Sequence, residues 1–298
     1  MTASRWVDVA RSPVVLVQSL SPLAAPMALI GLCGTLLPGR SAARRAMAAL
    51  CLLVLSVHAA IWLPWLTDDT PGPGRRLTVM TASLIHGRAD TVRISQEVRA
   101  AGVDVLVLTE VRNAAEANLR AAGIYRQLPH AVPGTPSGAG TVIRSRLPLT
   151  PLPSGAGTGL TTSPRNPAAT LHWGQDVTFR AVHPVPPVRT RVRQWRTTLR
   201  SLTVWSENTR GPVIMAGDFN ASVDHPGMRE LLQTGLRDAH EVAGAGRPPT
   251  WPSGRSVPPF VHIDHVLVRG VDVASAEEVP IPGTDHIAVL AHLVAPRG

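Results

Sequence analysis

A mixed α/β or α+β domain behind a transmembrane helical hairpin is the architecture this sequence predicts. Three observations carry it. Two long apolar runs fall within the first 66 residues, short apolar strand-like runs alternate with helical stretches further on, and a stretch rich in proline, glycine and charge separates the two regions. The 298 residues are therefore read as a membrane anchor over 1–66, a linker over 67–76 and a domain over 77–298 long enough to bury its own core.

Residues 13–37 are largely apolar around Gln18, Pro22 and Pro26, and residues 46–66 are apolar apart from Ser56 and His58. About 20 apolar residues cross a hydrocarbon core as a helix. Both runs qualify, the first with a kink at its prolines. Trp62 and Trp65 close the second run, where indoles favour the headgroup region. Between the runs, GRSAARR carries Arg40, Arg44 and Arg45 and no acid, which places that loop in the cytoplasm. The expectation is a protein of the cell membrane with its large domain extracytoplasmic and the lipid bilayer as a partner. No obligate protein partner is evident. TDDTPGPGRR, at 67–76, has the punctuation of a linker. Both cysteines, Cys33 and Cys51, lie in the apolar runs, so the domain has no disulfide.

All 29 basic residues are arginine, against 20 acidic ones. From Gly74 onward 24 Arg face 17 Asp and Glu, a weak bias towards a polyanionic partner. Strands are expected at 77–84, 103–110, 168–173, 176–182, 212–218, 260–268 and 286–293, several of them apolar throughout, as strands buried on both faces are. Helices are expected at 90–101 and 188–206. In the second, Val188, Val192, Trp195, Leu199 and Leu202 form one stripe, with Arg189, Arg193, Arg196 and Arg200 beside it as a solvated face. Segments 133–140, 151–167 and 244–259 read as loops.

Polar residues recur where these apolar strands end. Glu110 closes VLVLTE, His183 follows FRAV, Asp218 and Asn220 follow VIMA, Asp264 interrupts VHIDHVLV, and Asp285 with His286 introduces the last strand. A carboxylate buried there costs several kcal/mol unless it is paired or bound to a cation, so these acids are expected to converge. Carboxylate oxygens suit Mg²⁺, and histidines can face a charged phosphoryl group. There is no HExxH, GxSxG or cysteine cluster, which removes zinc-protease and serine-hydrolase readings. His86, His262, His265 and His292 are expected to be structural or surface residues. As parts of one strand, His262 and Asp264 would share a face and His265 would point away.

GDFNA (217–221), IDHVLV (263–268) and TDH (284–286), preceded by VMTASLIHGRAD, VLTEV and RAVHPVPP, resemble in order and spacing the endonuclease/exonuclease/phosphatase family over 75–298. The resemblance implies a four-layered αββα sandwich of two packed mixed sheets, and hydrolysis of a phosphate ester with Mg²⁺ or Mn²⁺. By that resemblance Glu110 is a metal ligand and Asp285 supports the metal or the histidine. Asp218 activates water, Asn220 positions phosphate, and His183 sits on the phosphate or leaving-group side. Asp264 orients His286, which stabilises the transition state. Arg165, beside Asn166, is the candidate phosphate contact. The family usually has Asn where this chain has Ser83, a weaker metal partner. A catalytically silent binding module is therefore the alternative. The substrate stays open between nucleic acid, a phospholipid headgroup and a soluble phosphorylated metabolite, and between a diester and a monoester.

Overall fold

The computed structural model describes residues 1–36, 41–69, 71–132, 140–152 and 166–295. Two six-stranded sheets pack face to face. In chain order the strands are β1 (Arg76–Ser83), β2 (Val105–Val111), β3 (His130–Val132), β4 (Gly140–Ser145), β5 (Leu149–Pro151), β6 (Ala168–His172), β7 (Asp176–Val182), β8 (Val213–Asp218), β9 (Arg237–Asp238), β10 (Asp264–Arg269), β11 (Asp272–Pro280) and β12 (Ile287–Val294). The first sheet runs β11-β12-β1-β2-β4-β3 and the second β5-β6-β7-β8-β10-β9.

The central strands read as unbroken apolar runs because both of their faces are covered. In β8, Ile214 and Ala216 enter the core between the sheets, whereas Val213 and Met215 face a helical layer. The period of two in side-chain direction persists, but neither face is wet.

The helices are α1 (Ser12–Ser19), α2 (Ala24–Gly34), α3 (Ala42–Trp62), α4 (Thr91–Ala100), α5 (Asn113–Ala121), α6 (Ile124–Gln127), α7 (Val192–Asn208), α8 (Pro226–Leu232) and α9 (Ala239–Val242). Helices α4, α5 and α6 cover the outer face of the first sheet through Ile94, Val98, Leu119 and Ile124. Helices α7 and α8 cover the second through Trp195, Leu199, Leu202 and Leu231. Asp90 caps α4, its Oδ1 accepting from the Val92 and Arg93 N–H groups at 2.9 and 3.0 Å. Val188 lies ahead of α7 and is exposed, because Arg189 takes a positive φ of 52° there. On α7, Arg196 donates to Asp8 at 2.6 Å.

The apolar run at 13–37 is not one helix. Helix α1 meets the segment Ser21–Gly34 at a bend of 46°. By contrast Ala42–Leu66 is long and apolar enough to cross a membrane, and it leaves side chains such as Leu50, Leu52 and Leu53 more than half exposed.

The first 20 residues are seated on the α/β domain. Val15 and Trp65 are buried in the cluster that α7 and α8 build. Arg5 and Arg247 both pair with Asp224, all three nearly inaccessible to solvent. Burial lowers the guanidinium pKa of Arg5 to about 9, with Arg229 and Arg247 adding to the fall, and that of Arg247 to about 10. His225 completes the joint. Its Nδ1 accepts from the Ser222 N–H at 2.9 Å, and its Nε2 faces the Val15 carbonyl at 3.3 Å and the Ser19 hydroxyl at 3.2 Å.

A second proton on His225 would confront the Ser222 N–H, and burial already lowers its pKa to about 4. Below pH 6.5 the unfolded chain binds this proton and the folded one does not, so stability falls with pH. A loss of roughly 3 kcal/mol between pH 6.5 and 4 is expected, and it should be absent in His225→Gln when denaturation midpoints are compared. Asp224→Asn strands two buried cations and should cost about 3 kcal/mol or more in the same measurement.

Candidate active site

The topology gathers the strand-end residues at one edge of the sandwich. Strands β1 and β2 are parallel and end there, as do β7 and β8, while β10 and β12 run antiparallel to β8 and β1 and begin there. Glu110 therefore arrives from β2, His183 from beyond β7, Asp218 from β8, Asp264 from β10 and His286 from the residue before β12.

Local backbone shapes this edge. Gly217 has φ 150°, and a Cβ on it would sit 2.0 Å from the Val182 carbonyl oxygen, so only glycine lets β7 and β8 approach just before His183 and Asp218. The β2–β4 pairing is irregular between Leu108 and Val111, and Glu110 within that irregularity takes φ 57°. Asn220 takes φ 49°. Left-handed residues other than glycine cost about 1–3 kcal/mol and persist where surroundings impose them.

Asp218 and Asp264 are register partners across β8 and β10, and both are buried. His286 Nδ1 lies 2.8 Å from Asp264 Oδ2, and its Nε2 lies 4.0 Å from Asp218 Oδ2. His183 Nε2 stands 3.8 Å from Asp218 Oδ2 and 4.0 Å from Glu110 Oε1, which links Glu110 to the buried pair. Asn166 Oδ1 accepts from the His183 N–H at 2.6 Å and fixes that residue's backbone. Asn220 donates its N–H to Asp218 Oδ1 at 2.7 Å, and its Nδ2 to Asp218 Oδ2 at 3.0 Å and the Pro184 carbonyl at 3.1 Å.

Burial pushes the Asp218 carboxyl up to about 8; Asp264 and Glu110 add to this, while His286 and the Asn220 N–H oppose it. Burial disfavours charge on His286, yet Asp264 and Asp218 outweigh it and raise the imidazolium to about 10. The pair thus has a hydrogen-bonded cation in His286 and a carboxylate in Asp218 that lacks sufficient positive charge. A divalent cation fits that deficit. Donor atoms of Asp218, Asp264 and His286 lie within 4.8 Å of one another, and the buried Ser83 Oγ has no hydrogen-bond partner among the described residues. Asp285 instead accepts from Arg255 Nη2 at 2.7 Å on the cleft wall, outside that group. Arg165 falls outside the described residues.

The sequence did not reveal the rest of the site. His86, expected to be a structural or surface residue, stands half exposed with Nδ1 3.3 Å from Glu110 Oε2. The cleft, about 650 Å³, has apolar walls from Leu16 of α1, from Pro186 and Pro187, and from Trp251, Phe260 and Ile263. Trp251 and Phe260 lie in or beside the segment read as a loop, where hydropathy carries no periodic signal. His262 and Asp264 do not share a strand face with His265 turned away, because β10 starts only at Asp264, Val261 bridges to Trp251, and the His262 and His265 rings meet edge to face at 4.5 Å.

The model of the endonuclease/exonuclease/phosphatase family matches residues 83–286. The chain belongs to that family. Among curated proteins no sequence matches it. The fold is similar to TDP2 of D. rerio complexed with a single-strand DNA product, at a TM-score of 0.60 and 18% identity over 73% of this chain and 98% of that one. It is also similar to an endonuclease/exonuclease/phosphatase protein of Beutenbergia cavernae, at 0.54 and 24% over 74% and 72%. A mannosyl-6-phosphatase of Bacteroides thetaiotaomicron matches at 0.54 and 16% over 73% and 99%. As a family member the chain is a phosphoesterase of the divalent-metal-dependent type, with the two-sheet sandwich these structures share.

Proposed function

We propose that the protein hydrolyses a phosphodiester by an activated water while tethered to a membrane through Ala42–Leu66. The convergence of Glu110, His183, Asp218, Asp264 and His286 on one cleft carries this reading. In it, Asp218 accepts the proton of the attacking water, since a carboxylate raised towards neutrality is a competent base. His286, kept cationic by Asp264, faces the charge that builds on the phosphoryl oxygens. His183 serves the leaving-group side. Both hydrogens of Asn220 Nδ2 are committed, so Asn220 holds Asp218 in place and reaches phosphate only by exchanging that contact for a phosphoryl oxygen. Glu110 would hold Mg²⁺ or Mn²⁺ with Ser83 as an additional oxygen donor, while Asp285, paired with Arg255, supports the charge on His286. The bound ion would supply Lewis-acid charge to the phosphoryl group.

Between nucleic acid and a phospholipid headgroup, the cleft favours the headgroup. A polynucleotide groove needs several cationic phosphate contacts, yet Arg189 is the one arginine among the described cleft residues, beside a largely apolar wall. Arg193, Arg196 and Arg200 line a different surface hollow with Asp8 and Glu230. The apolar side chains that Ala42–Leu66 leaves exposed suit a bilayer, and the arginines between the two apolar runs favour a catalytic domain on the outer side.

The detergent-solubilised full chain should hydrolyse phospholipid in mixed micelles with Mg²⁺ or Mn²⁺ and lose that activity with EDTA. Asp218→Ala should lower turnover by about 10³-fold, and Asp264→Asn by about 10- to 100-fold, with the thermal midpoint of the latter close to wild type. Cleavage of single-stranded DNA but not lipid would overturn the substrate reading. A folded protein inert towards both classes with either metal would favour the silent binding module that Ser83 suggests.

A further inference from the structure

A second group of buried ligating side chains lies apart from the catalytic acids. Asp238, His240 and His265 are wholly inaccessible to solvent and His262 nearly so. Asp238 ends β9 and caps α9, its Oδ1 accepting from the His240 N–H at 2.9 Å. His262 comes from the segment just before β10, and the two imidazoles meet edge to face at 4.9 Å.

The outward nitrogens settle which atoms point inward. His240 Nε2 lies 2.6 Å from Glu278 Oε1, and His262 Nδ1 lies 2.5 Å from the Pro248 carbonyl. A carboxylate and a carbonyl only accept, so each ring donates a proton outward, and its inner nitrogen holds either a lone pair or the second proton of an imidazolium. Those inner atoms, His240 Nδ1 and His262 Nε2, are buried and make no hydrogen bond among the described residues. They stand 3.4 Å from Asp238 Oδ1 and 3.7 Å from Asp238 Oδ2 respectively, and all three donors lie within 4.8 Å of one another. Three inward donors packed this closely need a positive charge among them, a proton or a metal ion.

We propose that Asp238, His240 and His262 form a structural site for a borderline transition-metal ion, Zn²⁺ by its chemistry. Two imidazoles and a carboxylate are a Zn²⁺ donor set, unlike the oxygen-rich set that suits Mg²⁺ at the cleft. The outer partners also match. Glu278 and the Pro248 carbonyl hold the rings, and His265 Nδ1, 2.5 Å from Asp238 Oδ2, holds the carboxylate. His265 is a positioning residue here, because its Nε2 is engaged by the Ala221 carbonyl at 2.8 Å. The ion would tie three elements together: the β9–α9 corner, strand β11 through Glu278, and the 248–263 segment. That segment supplies Trp251, Phe260 and Ile263 to the catalytic cleft, and the Trp65 indole lies edge-on to His262. The site would therefore stiffen a cleft wall without touching substrate, and it does not depend on which phosphate ester is hydrolysed.

The test uses the full chain in detergent, stripped with a chelator and titrated with Co²⁺ alone, then with Zn²⁺ alone. One equivalent of Co²⁺ with a visible absorption band of tetrahedral type is expected, beside any Co²⁺ that the oxygen donors of the cleft hold without such a band. The thermal midpoint should rise with Zn²⁺. Both should persist in Glu110→Gln/Asp218→Ala, which removes the catalytic donors, and Co²⁺ affinity should fall at least tenfold in His240→Gln and His262→Gln. X-ray absorption of the Zn²⁺-loaded wild type should show two imidazole nitrogens, which keeps the test decisive if a histidine variant fails to fold. Absence of Co²⁺ binding in the wild type, or binding that vanishes in the catalytic double variant and survives in the histidine variants, overturns the proposal. The cluster would then be a proton-bridged network.

Discussion

Two buried acids placed side by side govern this molecule. The antiparallel register of β8 and β10 sets Asp218 opposite Asp264 at the end of the inter-sheet core. Their charges would expel each other from so dry a place without a cation. His286 answers part of that demand from the start of β12, in the opposite sheet. The facing sheets are thus joined at this edge by electrostatics as well as by the apolar layer behind it. The same shortage of positive charge suits the place to a metal ion.

Much of the sandwich was legible because its middle strands are apolar on both faces, and such runs as VDVLVLTE and PVIMAGD have few other homes. Strand ends were legible for the same reason, since a carboxylate at the limit of a buried run stands out. Strand β4, buried inside the first sheet, and helix α5 escaped, and the other strands that did so are short or marginal. Strands β3, β5 and β9 have at most three residues each, too few for a period to register. β11 lies at a sheet edge with half its side chains wet, so DVASAEEVP reads as polar surface.

The site was legible where chemistry and strand ends coincide, and obscure where contacts come from turns. His86 sits in a single helical turn, and nothing local announces that it faces Glu110. Asp238 and His240 lie in RDAHEV, which reads as an ordinary helix start. Their histidine partners come from more than 20 positions away, a separation that no pattern search along the chain bridges. The contribution of α1 was hidden for another reason. Hydropathy assigns it to the bilayer, yet Val15 is buried against the α/β domain and Leu16 faces the cleft.

That last placement alters what counts as the functional unit. A fragment cut at the proline- and glycine-rich stretch would look like a clean domain on paper. It would leave Asp224 and Arg247 without Arg5 and the α7–α8 cluster without Val15 and Trp65. It would also remove one side of the cleft. The helix that lines this cleft and the apolar segment Ala42–Leu66 belong to one stretch of chain ahead of the sandwich, so truncation removes both together.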